Sequence, residues 1–350
     1  MGAIYMKPLA VHFGAGALGR GLAIPFLTES GYDVVAVDAD RQLIDRLRAA
    51  GGYQILLTDQ NVARTVPIHA ACLPDDDALM PLLGQAVLIT TSVRKENLHY
   101  IASLLKGITP KTVICCENIE QSGEFFAGLM SAAGVEPTGW LLPDCMVDRI
   151  CSARWPDALD IETESYGTIC VQAIRDAEIP ARFEKTDHIA ARFQEKRLLV
   201  NTYADGVSLL GRAAGHHYLY EAAADNAINR EIAGYMHIMK FYLHRVCRFE
   251  PRHLDDMAAK HRARLCNPAI KRPLATVARN FLVKMTPRER FIFPLAELLK
   301  RNENIDAAIP FLRKLIAAWL KDQPDPALAK KQVFAAIQCP DIVRKLEEAI

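Results

Sequence analysis

Eleven residues near the N-terminus, Val11-His12-Phe13-Gly14-Ala15-Gly16-Ala17-Leu18-Gly19-Arg20-Gly21, constrain the fold of this chain more tightly than any other stretch. An apolar run from Leu9 to Phe13 leads in and a helix-like run from Leu18 to Leu27 leads out, so strand, tight turn and helix follow one another. Gly14 permits the sharp turn, Gly16 removes a Cβ from the path of a ligand, and Gly19 lets the helix lie close on the strand. The helix N-terminus reached in this way offers free N–H groups to an anion. Gly14, Gly16, Ala17, Leu18, Gly19 and Arg20 are therefore the candidate segment for a dinucleotide's pyrophosphate. A second apolar run, Val34–Val37, ends at Asp38, about 20 residues beyond the glycines, where a carboxylate accepts hydrogen bonds from an adenosine ribose. That favours NAD over NADP, although Arg41 stands near enough to meet a 2′-phosphate.

The composition narrows the class. At 350 residues the chain exceeds one average core, so two domains are expected. Lys and Arg total 42 against 41 acidic residues, which leaves no global field for nucleic acid or membrane. No uninterrupted apolar stretch of about 18 residues is present, and the first residues lack the charged and apolar regions of a signal peptide, so a cytoplasmic location is expected. The nine cysteines form no C-x-x-C pair and read as free thiols, mostly buried. Histidines at 237, 244, 253 and 261 are spaced seven to nine apart. No metal site is expected.

Short strand-like runs alternate with helical ones through the first half: Leu9–Phe13, Val34–Val37, Tyr53–Leu57, Ala86–Thr91, Thr112–Cys116 and Ile161–Val171, with helices such as Leu18–Glu29 and Arg41–Ala49 between them. This is the pattern of an α/β fold with a Rossmann-type, doubly wound, mainly parallel sheet. Beyond about Pro180 the segments Ile189–Leu210, Glu221–Cys247, Ile305–Leu320 and Ala327–Ala335 have helical periodicity, with prolines between and beside them. The expected organisation is a dinucleotide-binding domain over 1–182 and a mostly α-helical substrate domain over 183–350.

Two further segments carry chemistry. Cys116-Glu117-Asn118 closes an expected strand at its C-terminal end, where open α/β sheets bind ligands, and the Asn118 amide has donors for a reacting oxygen. Glu195-Lys196-Arg197-Leu198-Leu199-Val200-Asn201 begins the helical domain. A lysine drawn out of water beside positive charge has a lowered pKa and serves as a general base. On an ideal α-helix Lys196 and Asn201 are offset by about 140°, so they border one cleft without stacking on one face.

Taken together, His12-Phe13-Gly14-Ala15-Gly16 with Gly19-Arg20-Gly21, Cys116-Glu117-Asn118, Val147-Asp148-Arg149, Lys196 with Asn201, Leu210-Gly211 with Ala214-Gly215-His216, and Asn267-Pro268 resemble, in order and spacing, the polyol-specific long-chain dehydrogenase family. The resemblance runs from residue 12 to about 295. It implies zinc-independent, NAD-linked interconversion of a secondary alcohol and a ketose, with Lys196 as the base, Asn118 and Asn201 holding the oxygen, and Asp148 with Arg149 lining the site. It also implies a histidine eight positions after the lysine, where this chain has Ala204. Asp205, His216 or Tyr203 are the residues that would stand in for it.

From Lys260 to Arg290 nine Lys or Arg residues face a single acid, Glu289. Such an excess suits an anionic small-molecule substrate, and a sugar-alcohol phosphate is the expectation, with a ketose phosphate as its oxidised partner. A hexonate on the same scaffold and a non-catalytic dinucleotide sensor are the alternatives. A monomer or small homo-oligomer is expected.

Overall fold

The computed structural model describes residues 6–348. It divides into two compact units, one running through Arg192 and the other starting at Phe193.

The first unit is built on a parallel five-stranded sheet of β1 (Leu9–Phe13), β2 (Asp33–Val37), β5 (Ala70–Cys72), β6 (Leu88–Thr91) and β7 (Thr112–Cys115), in the order β5-β2-β1-β6-β7. Successive side chains of a strand point to opposite faces, and the core obeys that period. Ala10, Val34, Ala36, Leu88 and Ile114 join one cluster with Ile24 and Leu27 of α1 (Ile24–Glu29) and Ile44 and Leu47 of α2 (Arg41–Ala50). Val11, Phe13, Val35, Ile89 and Val113 join the other, with α3 (Leu79–Gln85), α4 (Leu98–Leu104) and α5 (Ser122–Ala132). Both faces are covered, as a parallel sheet requires. The chain reverses its direction across the sheet between β1 and β6, and a ligand crevice opens at the carboxyl ends of strands at such a point.

Two smaller sheets complete the unit. One, in the order β4-β3-β10-β9, contains β3 (Gly52–Leu57), β4 (Val62–Pro67), β9 (Cys151–Ala153) and β10 (Ile161–Thr163). The other, β12-β11-β8, contains β8 (Cys145–Asp148), β11 (Thr168–Gln172) and β12 (Glu184–Thr186). The expected single strand Ile161–Val171 is thus two strands in different sheets. Long-range bonds make the break: Asp59 accepts from the Ser165 N–H at 2.8 Å, and Arg149 donates twice to the Glu164 carbonyl.

The second unit is helical, as expected. After α6 (Ile189–Lys196) come α7 (Thr202–Ala213), α8 (Leu219–Ala224), α9 (Asn226–Arg245) and α10 (Pro251–Leu265), then short helices and three longer ones at Ile309–Leu320, Pro326–Ile337 and Pro340–Glu347. The expected helix Glu221–Cys247 is divided at Asp225, whose carboxylate accepts from the N–H groups of Ala227 (2.7 Å) and Ile228 (3.2 Å) and so caps α9. Tyr235 anchors the centre, its ring 5.0 Å from that of Phe311 and its hydroxyl donating to the Phe291 carbonyl at 2.7 Å.

The expected helices Leu18–Glu29 and Ile189–Leu210 each contain a π-helical turn, Gly19–Ala23 in the first and Arg197–Asn201 in the second. Among the described residues no helix is long and apolar enough to cross a membrane. All nine cysteines are free, and five of them are buried.

Candidate functional site

Beyond β1 the chain turns at Gly14, which has φ +98° and donates its N–H to the Val37 carbonyl at 2.7 Å. A Cβ there would stand 2.6 Å from the Ser92 carbonyl oxygen, so both conformation and space demand glycine. A Cβ on Gly19 would stand 1.9 Å from the Gly14 oxygen, which is the close packing of helix on strand expected of this position. Gly16 faces open space, with nothing within 4 Å of its would-be Cβ. Gly16, Ala17 and Leu18 remain partly exposed while the rest of the loop is buried.

This loop borders a cavity of about 820 Å³, lined also by Asp38, Pro74, Ser92, Arg94 and Tyr100. Asp38 follows β2 directly, and one of its carboxylate oxygens accepts from the Asp40 N–H at 3.0 Å. Asp40 caps α2 through the Leu43 N–H and accepts from the Trp155 indole at 2.9 Å. Arg41 is the exposed first residue of α2. A bare glycine edge and a carboxylate on one cavity fit the pyrophosphate and the ribose of a dinucleotide.

His12 was not singled out as functional from the sequence, yet it holds the loop. It is fully buried, with Nδ1 2.7 Å from the Thr90 hydroxyl and Nε2 2.9 Å from the Ser92 hydroxyl, which donates onward to the Gly14 carbonyl at 2.8 Å. Burial pushes the imidazole down to about 4, so the ring is neutral and the chain of bonds is between uncharged groups. The signal was a polar residue inside an apolar strand, two positions before the turn.

Arg20 has a different use from the one its motif position suggested. Its side chain is buried, Nε donates to the Ala15 carbonyl at 2.7 Å and Nη1 to the Leu159 carbonyl, so the guanidinium braces the loop from behind. Arg149 is similar. It donates to the carbonyls of Gly21 (2.9 Å) and Glu164 (2.9 and 2.6 Å) and lies over the Phe26 ring. Asp148 ends β8 and is buried. Asn118 is exposed just beyond β7, next to the buried Glu117, whose carboxylate accepts from the Thr91 hydroxyl (2.7 Å) and the Val93 N–H (2.8 Å). Burial raises the Glu117 carboxyl above the usual range, against these hydrogen bonds.

In the second unit Lys196 is the last residue of α6 and half-buried. The Thr202 N–H bonds to the Arg197 carbonyl, five residues back, and the Thr202 hydroxyl donates to the same oxygen at 2.8 Å. Such a turn inserts one residue without adding rotation, so Asn201 lies roughly 40° from Lys196. The offset of about 140° expected for an ideal α-helix is corrected: the pair shares a face. Leu198, Leu199 and Val200 are buried between them. Glu195 is buried, and its carboxylate meets Nε2 of His253.

The residues expected to stand in for the missing histidine have other partners within this unit. Asp205 is buried, with one oxygen 2.8 Å from Lys284 Nζ and the other 2.9 Å from Arg290 Nη1. Burial raises its carboxyl, opposed by the two cations. Two of the nine basic residues of the 260–290 segment thus neutralise an internal carboxylate. His216 Nε2 lies 3.0 Å from Asp225 and borders a separate cavity of about 570 Å³ with Arg212 and Tyr218. The Tyr203 hydroxyl donates to the Asn229 side chain at 2.6 Å, and Ala204 is buried.

Comparison with known proteins agrees with this architecture. A family model described as the mannitol dehydrogenase Rossmann domain matches residues 8–181. The chain is 29% identical over 310 residues to a mannitol-1-phosphate 5-dehydrogenase of Exiguobacterium sibiricum, covering 84% of this chain and 81% of that one. It is 27% identical over 341 residues to the protein of that name from Brevibacillus brevis, covering 91% and 87%. Among solved structures, a Pseudomonas fluorescens mannitol 2-dehydrogenase in ternary complex with NAD and D-mannitol aligns with a TM-score of 0.72 at 16% identity, over 98% of this chain and 91% of that one. A substrate-free D-sorbitol dehydrogenase aligns with a TM-score of 0.78 at 14% identity, over 97% and 92%. At those identities the two structures speak for the fold. The chain belongs to the mannitol dehydrogenase family and is a dehydrogenase acting on a secondary alcohol.

Proposed function

We propose that this chain is an NAD-dependent dehydrogenase that interconverts a sugar-alcohol phosphate, of the mannitol 1-phosphate kind, with a ketose phosphate. The observation that carries the cofactor half is the cavity on which an open Gly16 and the Asp38 carboxylate meet. A carboxylate at the ribose position repels a 2′-phosphate, which favours NAD over NADP. When bound, the nicotinamide supplies a hydride acceptor for the carbinol carbon. Lys196 Nζ takes the hydroxyl proton, and the Asn201 amide on the same helix face holds the oxygen that is losing it. Asn118 is assigned an oxygen-holding role from its motif match. The substrate half leans on the relatives' names and on the basic segment 260–290, of which Lys284 and Arg290 are committed to Asp205. A cytoplasmic setting fits the buried free thiols.

The test is NADH formation by the purified chain over a panel of hexitols, hexitol phosphates and hexonates. We expect the highest kcat/KM with a phosphorylated hexitol. Turnover of hexonates alone would move the assignment to sugar acids, and dinucleotide binding without turnover of any member would leave a sensor.

A further inference from the structure

Between β6 and α4 the chain passes through Ser92, Val93 and Arg94, and Arg94 adopts a backbone conformation that L-residues rarely hold. Its φ is +71° and its ψ is +153°. Gln121, Asn280 and Gln338 also have positive φ, but with ψ of 43°, 43° and 26° they sit in the left-handed helical region that side chains tolerate. The Arg94 combination lies at the edge of the region almost reserved for glycine.

Such strain persists where the surroundings over-determine it, and here they do. The Ser92 N–H donates to the Phe13 carbonyl at 2.7 Å, and the Val93 N–H to the buried Glu117 carboxylate at 2.8 Å. On the other side, the Asn97 side-chain amide donates to the Val93 carbonyl at 2.8 Å, and the Asn97 N–H to the Arg94 carbonyl at 3.1 Å. The next residue, Lys95, lies over the Phe125 ring at 4.7 Å, whereas Arg94 is exposed and borders the glycine-loop cavity.

The charge around that cavity is sparse. Among the described residues lining it, Arg94 is the one cation and Asp38 the one carboxylate. The arginine inside the glycine motif, Arg20, is turned to the carbonyls of Ala15 and Leu159. The loop N–H groups supply only partial positive charge to a ligand that carries full negative charges.

We infer that Arg94 is a cofactor-binding residue: the strained turn holds its guanidinium at the cavity to pair with the diphosphate of the dinucleotide. This rests on the NAD reading above. An Arg–phosphate pair is charge-assisted and directional, which gives the strain a function that a relaxed residue at 94 would lack. The carboxylate of Asp38 makes a 2′-phosphate the wrong partner for the same cavity.

Calorimetric titration of wild type, Arg94→Gln and Arg94→Lys with NADH, ADP-ribose and adenosine tests the inference. Arg94→Gln keeps the backbone demand and removes the charge. We expect it to weaken NADH and ADP-ribose about tenfold, as the loss of one bond to a charged group does, with adenosine unchanged and less dependence on salt; Arg94→Lys recovers part of the loss. Equal affinity of wild type and Arg94→Gln for ADP-ribose overturns the inference and leaves the NAD reading intact, as does an equal loss for adenosine. A wild type that binds no NADH overturns the NAD reading, and the inference with it.

Discussion

Two π-helical turns, Gly19–Ala23 and Arg197–Asn201, stand at the two motifs on which the function rests, and they are made of opposite materials. The first is Gly-Arg-Gly-Leu-Ala, buried throughout, with its one charged side chain bonded to backbone carbonyls. Small residues let the backbone approach its neighbours: a Cβ on Gly21 would stand 2.6 Å from Cys151 Sγ. The second is Arg-Leu-Leu-Val-Asn, with a packed apolar middle and polar groups at its edges. One turn packs backbone tightly behind the loop that borders the cavity, and the other sets side chains on one face. Changes to the first should therefore act on binding and stability, and changes to the second on the chemical step.

The largest expected effect separates the two at once. Lys196→Ala should lower kcat about 10³-fold, equivalent to about 4 kcal/mol, as the loss of a general base does, while NADH affinity measured by fluorescence titration stays near wild type. A parallel loss of both would erase the distinction.

Next comes the pH response of the first unit. The folded chain keeps His12 neutral down to about pH 4, whereas the unfolded chain takes up that proton near 6.5. Stability from this group is complete above about 6.5, falls as pH drops through that window, and levels off below about 4, a total of about 3 kcal/mol. Urea unfolding at a series of pH values should show this slope flattened by close to one proton in His12→Gln; an unchanged slope would mean that the ring is protonated in the fold.

Gly19→Ala should cost about 2 kcal/mol of stability through overpacking and abolish measurable NADH binding, since the new methyl meets the Gly14 carbonyl. Retained binding would show that the loop can yield. Smallest, Asp38→Asn should raise the KM for NAD about tenfold, or about 1.4 kcal/mol, and narrow the preference over NADP in initial-rate assays.

The same contrast explains what the sequence disclosed. Near-continuous apolar runs along β1 and β2 revealed both strands, because each face of the sheet has its own core. β4 escaped because its residues are exposed apart from Val66, leaving no apolar period to see. The two π turns could not be read, because successive apolar residues, such as Leu198, Leu199 and Val200, hide the one-residue shift in phase, and the relation of Lys196 to Asn201 came out wrong for that reason. The roles of Arg20, Arg149 and Asp205 depend on partners from 5 to 139 residues away. Motif position located them, and only the fold shows what they touch. The glycine loop was legible because its function is carried by local backbone geometry.

Isotope tracing reads hydride transfer from the carbinol carbon to the nicotinamide. The chain would be incubated with NAD and a hexitol phosphate carrying deuterium at the carbinol carbon, and the reduced dinucleotide examined by mass spectrometry. Deuterium is expected on the nicotinamide in the wild type, and little product with Lys196→Ala. Unlabelled NADH, or no NADH with any phosphorylated hexitol, would contradict that transfer.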